Sequence, residues 1–292
     1  MKSVVSPVYT KLLARRRLRD KIMTGVILLC LILAIIPLFL VFYHIVVNGA
    51  PSLNLNFFTQ LPAPVGEPEG GMGNSILGSL ILITLASLFA VPVGIFGGVY
   101  LSEYKNERIA SAYRWTVDLL MSIPSIVMGL FIYTSIVIPF KGFSAWAGAA
   151  ALSLLMLPIV AKTTEEVLKL TPLHVREAGL ALGLSRWRVI LYIVLRGKKP
   201  AVMTGVVLAL GRIAGETAPL LVTAFGNRNW PTSLNEPTPS MPVQIYNYAI
   251  SPYEHWHKQA WAGAFTLVML IFVINLVTRI VFSKQGVARN AQ

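Results

Sequence analysis

Six stretches of this chain are apolar over about the length a helix needs to cross a bilayer, roughly 20 residues. They lie at about 23–47, 75–100, 115–139, 144–161, 201–225 and 260–282. Nothing else narrows the fold as much. Backbone inside hydrocarbon must satisfy its own hydrogen bonds, so long apolar segments point to an all-α polytopic membrane protein. Composition agrees: 55% of the 292 residues are hydrophobic and 13% charged, against about 25% charged in soluble domains. The first stretch follows a basic segment, as a signal peptide would. It is longer than a signal core and lacks a clear small-residue cleavage site, so it reads as a retained anchor span.

Lysine and arginine sort by loop. Lys2, Lys11, Arg15, Arg16, Arg17, Arg19 and Lys21 precede the first stretch, and eight more run from Lys162 to Lys199, between the fourth and fifth. Lys105, Arg108 and Arg114 lie between the second and third, and Arg279, Lys284 and Arg289 lie near or after the end of the sixth. The alternate loops hold only Lys141, Arg228 and Lys258. Cationic loops stay on the cytoplasmic side, which predicts that both termini are cytoplasmic. The net charge of +13 is then a topology signal, not the mark of a nucleic-acid binder.

Two outer segments are long. Segment 48–74 ends in Gly70-Gly71-Met72-Gly73, a flexible entry to the second stretch. Segment 226–259 combines five prolines with Trp230, Tyr246, Tyr248 and Trp256, and reads as an ordered external cap or short re-entrant element. Cys30 is the one cysteine, which excludes an internal disulfide and a Cys-based zinc site. His255 and His257 alone are a weak metal signal. Gly197-Lys198 is followed by Lys199 rather than Ser or Thr, so there is no nucleotide-binding P-loop. The chain reads as a non-catalytic membrane subunit with no metal or cofactor of its own.

The inner segment 162–200 has a helical pattern. Val167, Leu168, Leu170, Val175, Leu180, Leu182 and Leu184 alternate with charge at helical spacing. Pro172 divides the segment into two helices joined near Thr171-Pro172. Glu177 falls in the first turn of the second helix, where a carboxylate suits the dipole. Gly183 ends that helix or permits close backbone approach. Pattern alone leaves two readings, an amphipathic helix on an anionic membrane surface or a docking helix for a cytoplasmic partner. Arg186, Trp187 and Arg188 suit either.

The fifth stretch holds two charges that a membrane span ordinarily excludes. Within Gly211–Pro219, Arg212 and Glu216 are spaced to share one helical face. Arg212 lies roughly 16 Å beyond Ala201 at helical rise, near the middle of a hydrocarbon core of about 30 Å. Ions at that depth usually face a bundle interior or polar cavity. The pair is therefore the first place to look for a transport pathway. The competing reading is a structural ion pair between helices. Gly211 and Gly215, and likewise Gly94 and Gly98, form small-x-x-x-small faces suited to close helix packing.

Two motifs carry a family resemblance. Glu177-Ala178-Gly179-Leu180-Ala181-Leu182-Gly183, then nine residues, then Ile193-Val194-Leu195 resembles the EAA loop of ABC importer permeases. That loop reads Glu-Ala-Ala, three residues, Gly, nine residues, Ile-x-Leu-Pro. Gly179 stands here for the third residue and Arg196 for the proline. More narrowly, Gly-Arg-x-x-Gly-Glu-Thr-Ala-Pro at 211–219 is similar to the phosphate-specific permeases of that class. So are Tyr100–Tyr104, Asp118-Leu119, Ile123–Val127 and Ser240–Tyr246, over roughly 70–282.

The resemblance implies the MetI-like fold of type I ABC importer permeases, with six transmembrane helices. Together with the charge and hydropathy pattern it divides the chain into a basic N-terminus (1–22), an anchor span (23–47), a permease domain (70–283, with coupling segment 162–200) and a tail (284–292). The resemblance implies half of a translocation path for inorganic phosphate in a bacterial or archaeal plasma membrane. The partners would be a second permease, two copies of a cytoplasmic ATPase holding ATP and magnesium, and an external phosphate-binding protein. Glu177, Ala178, Gly179, Gly183 and Arg186 would couple to the ATPase, and Arg212, Glu216 and Thr217 would line the path. Two other readings stay open: a paralogous phosphate-specific permease or one for another oxyanion, and a non-transporting anchor or sensor using the same docking helix.

Overall fold

Backbone with no water to bond to closes its hydrogen bonds locally, and the apolar stretches accordingly form helices. The computed structural model describes residues 7–64, 70–104 and 107–287. Lys2, Lys105, Arg289 and the outer parts of the predicted N-terminus and tail lie outside them. The helices are α1 (Pro7–Gly49), α2 (Leu55–Thr59), α3 (Gly73–Glu103), α4 (Arg108–Ser122), α5 (Ser125–Ile132) and α6 (Ala145–Lys169). Then follow α7 (Leu173–Ala181), α8 (Arg186–Arg188), α9 (Arg196–Ala214), α10 (Ala218–Thr223), α11 (Met241–Ala249) and α12 (Glu254–Val287). Among the described residues there is no strand.

Four segments are long and apolar enough to cross a membrane by length and composition: Arg15–Ser52, α3, α6 and Glu254–Thr278. Three expectations need correcting. The third stretch is not one straight span, because α4 stops at Ser122 and the chain resumes at Ser125 bent by 106°. Ile123 is extended (ψ 132°), as a residue preceding proline prefers. This bent pair makes a fifth crossing if it is one span. The fourth stretch does not end near 161, since α6 runs unbroken to Lys169. The fifth begins well before Ala201: α8, a π-helical stretch at Val189–Leu195 and α9 follow without interruption, so the helix passes straight through Arg196 and Pro200. It then breaks at Gly215–Thr217 before α10.

Glycine contacts fix the helix directions. Gly94 faces Leu157 and Val160, Gly98 faces Ala161 and Thr164, and Leu82 lies by Gly148, so α3 and α6 run parallel. Gly205 of α9 meets Thr163, while Leu220 and Ala224 reach Gly148, so α9–α10 runs antiparallel to α6. Leu82, Ala86, Leu152, Met156, Val206, Ala209 and Ile213 fill the core between them. The long α1 packs at its end, where Gly49 lies against Trp261 and Phe265 of α12, and most of its apolar surface is exposed.

The two ends of the bundle differ. At one, the proline-rich segment is an ordered cap. Asn74 donates to the Asn227 carbonyl (3.0 Å), the Met241 amide donates to Ser79 Oγ (2.7 Å), and the Ala145 amide donates to the Leu234 carbonyl. The other end carries α7, α8 and most of the described basic residues.

Candidate functional site

Arg212 lies about halfway through the bundle. Gly205 meets Thr163, eighteen residues into α6, and Arg212 is about 10 Å further toward the proline-rich end at 1.5 Å per residue. The expected shared helical face is not continuous. The helix ends at Ala214, and Glu216 lies in the break with Gly215 and Thr217. The pair still meets, with Arg212 Nε 3.7 Å from Glu216 Oε1, beyond hydrogen-bond reach. The Arg212 side chain is 57% exposed and that of Glu216 16%. Thr217 is half-buried and opens α10, whose Leu221 amide donates to its carbonyl.

Exposure along α9 has a helical period. Ala201, Thr204, Leu208, Arg212 and Gly215 are exposed, while Val202, Val206, Ala209 and Ile213 on the other side are buried. Arg212 thus sits in an uncovered stripe of otherwise uncharged residues. A Cβ at Gly215 would meet only the Arg212 carbonyl oxygen, at 4.0 Å, and one at Gly211 only Ile271, both at ordinary contact distance. Their small-residue face is therefore not a close packing surface within this chain, unlike the positions of Gly94 and Gly98.

At the basic end, α7 begins at Leu173 because Pro172 caps it. Glu177 consequently falls one turn further in than expected, exposed beside Ala178. Gly179 is buried, and a Cβ there would press on Val189 and Ile193. Gly183 ends the helix with φ +78° and open space around it, so backbone conformation and not close approach explains it. The Leu184 amide donates to the Gly179 carbonyl and the Gly183 amide to the Leu180 carbonyl, the Schellman pattern. Gly183→Ala should cost about 1 kcal/mol of local stability, read as faster amide exchange across α7 with little change elsewhere. Unchanged exchange would remove this account of the helix end.

Side chains that the sequence did not pair tie this end together. Glu165, with 1% of its side chain exposed, accepts from Arg114 Nε (2.8 Å) and Lys169 Nζ (2.6 Å). Arg114 also donates to the Leu101 carbonyl. Arg176 on α7 pairs with Glu103, the last residue of α3, and Arg186 lies 5.0 Å over the Tyr104 ring. Lys162 bonds Asp118 at 2.8 Å. The one available signal was the position of two scarce acids, Glu103 and Glu165, close to the ends of apolar stretches.

Residues 90–285 match the family described as binding-protein-dependent transport system inner membrane component. The phosphate transport system permease protein PstA of Haemophilus influenzae is 41% identical over 91% of this chain and 95% of its own length. The Yersinia pestis PstA is 40% identical over 93% and 92%, and the probable PstA of Methanocaldococcus jannaschii 36% over 93% and 95%. The chain belongs to the PstA family of these permeases. As a PstA-family permease it is a multi-pass membrane subunit of an ABC importer, and its fold agrees with solved transporters. A bacterial ABC transporter involved in import of the acidic polysaccharide alginate superposes with TM-score 0.61 at 16% identity, over 92% of this chain and 99% of that one. The inward-facing MetNI methionine ABC transporter gives 0.59 at 16% identity, over 72% and 92%. At such identity the likeness is one of fold.

Proposed function

We propose that this PstA-family permease forms half of the path for inorganic phosphate in an ATP-driven importer. Arg212, Glu216 and Thr217 face the passing anion. The other half comes from a PstC-like permease, the energy from two PstB-like ATPase subunits holding ATP and magnesium, and the substrate from an external PstS-like binding protein. The termini and α7 face the cytoplasm, and Glu177, Ala178, Gly179, Gly183 and Arg186 belong to the surface on which the ATPase acts.

The observation that carries this reading is the exposed guanidinium halfway through the bundle. Left against lipid, a charge at that depth costs several kcal/mol at least. Its stripe on α9 must therefore meet protein or water, and a second permease packed around a hydrated path supplies both. The carboxylate 3.7 Å away is close enough to restrain the guanidinium and too far to occupy its donors, which suits an anion that must bind weakly and leave. A guanidinium fork fits tetrahedral oxyanions.

The test is ATP-dependent uptake by the complete transporter in vesicles, with arsenate and sulfate as competitors. Phosphate accumulation blocked by arsenate supports the assignment. Accumulation of sulfate instead points to another oxyanion, and nucleotide-dependent binding without flux points to a sensor.

A further inference from the structure

We propose that Arg176 is a positioning residue that locks α7 to the ends of α3 and α6, so that movement of α7 is delivered to the membrane helices. The proposal rests on the reading above, in which the ATPase acts on the exposed face of α7.

The covalent link between α6 and α7 is a poor transmitter. Helix α6 ends at Lys169, Pro172 caps α7, and only Leu170 and Thr171 lie between. A short irregular joint between rigid elements is where φ and ψ changes are absorbed. Arg176 bridges it. Its Nη2 donates to the Leu168 carbonyl on the α6 side (3.2 Å) and its Nη1 to the Thr171 carbonyl within the joint (2.7 Å). Its Nε donates to Glu103 Oε1 (3.1 Å), at the last residue of α3. One planar group thus holds both sides of the joint and a third helix. The pair is shielded, with 17% of the Arg176 side chain and 8% of the Glu103 side chain exposed, so salt screens it little.

Neighbouring contacts make the attachment rigid. Arg186 stacks on Tyr104, next in sequence to Glu103, a second tie from the same segment to the same end of α3. Gly179 seats α7 on Val189 and Ile193, in the helix that continues into α9. The face of α7 that bears Glu177 stays exposed. A push on that face therefore reaches α3, α6 and α9 together, and α9 carries Arg212. Lysine in place of Arg176 keeps the charge but cannot reproduce the three-way geometry of the fork.

The experiment uses the complete transporter in vesicles, comparing the parent with Arg176→Ala, Arg176→Lys and Glu103→Gln. The readout is phosphate moved per ATP hydrolysed, normalised to assembled complex. Arg176→Ala should lower that ratio about tenfold while hydrolysis persists, and Arg176→Lys should fall between Arg176→Ala and the parent. A ratio equal to the parent's in both Arg176→Ala and Glu103→Gln overturns the proposal, whatever happens to yield. A second measurement does not depend on the substrate. Spin labels replacing exposed Leu180 on α7 and Phe96 on α3, with Cys30 replaced by serine, report whether the two helices move as one body. The parent distance should be the same with and without trapped ATP, and should spread in Arg176→Ala. A parent distance that itself changes with nucleotide refutes the lock. A fixed distance in a parent that moves no phosphate supports the lock and counts against the phosphate assignment.

Discussion

Arg212→Ala lowers phosphate uptake by about two to three orders of magnitude, the loss typical of deleting a preorganised anion-stabilising donor, while the transporter still assembles. Assembly survives because the side chain contributes nothing to the core: it is 57% exposed, and its ion pair with Glu216 is loose at 3.7 Å. Uptake does not, because an oxyanion halfway through the bundle loses the charge that offset its dehydration. Arg212→Lys separates field from contact. It keeps the charge and loses the fork, so uptake falls about tenfold rather than a hundredfold or more if the guanidinium itself touches the anion. Uptake equal to the parent's in Arg212→Lys would mean that Arg212 acts through its field alone. Glu216→Ala acts in the opposite sense, leaving Arg212 unrestrained, so the anion binds more tightly and leaves more slowly. Its signature is impaired uptake with increased phosphate retention. Normal uptake in either alanine variant removes the pair from the path.

The helices were legible because apolar length is a strong signal in a chain that must satisfy its backbone in lipid. Their interruptions were less so. Pro124 marked the bend after α4, but an apolar run crosses Ile123 without changing character, and hydropathy alone cannot register a turn of 106°. Gly215 and Pro219 likewise flanked a break that the helical spacing of Arg212 and Glu216 concealed. Pro172 marked the joint before α7 by lacking an amide hydrogen, and of the two readings left open for Gly183 the helix end holds, because glycine tolerates φ +78°. The ionic ties at the basic end were invisible for the converse reason. Arg114 and Glu165, or Glu103 and Arg176, are 51 and 73 residues apart in sequence, and no local pattern pairs them. Arg186 was picked out for docking a partner, yet its guanidinium also stacks within the chain, on Tyr104.

Gly98→Leu is the substitution that should damage the fold most. A Cβ at Gly98 would stand 2.5 Å from the Ala161 carbonyl oxygen, 2.6 Å from Thr164 Cβ and 3.0 Å from the Glu165 amide nitrogen. Two of these are backbone atoms of α6 and cannot rotate away, so α3 and α6 must separate. Overpacking alone costs about 1–3 kcal/mol and sometimes more. Separation also strains the buried Glu165 contact with Arg114, because Arg114 is held to α3 through the Leu101 carbonyl. Against a total stability of about 5–15 kcal/mol, the variant should show a greatly lowered melting temperature or fail to assemble. Gly25→Leu is the control. It makes the same chemical change on α1, where nothing lies within 4 Å of the added Cβ, and leucine is the better helix former. Thermal unfolding of the two purified variants should therefore diverge sharply, with Gly25→Leu matching the parent. Equal melting temperatures would mean that α3 and α6 do not meet at Gly98, and the parallel packing of these two helices would have to be redrawn.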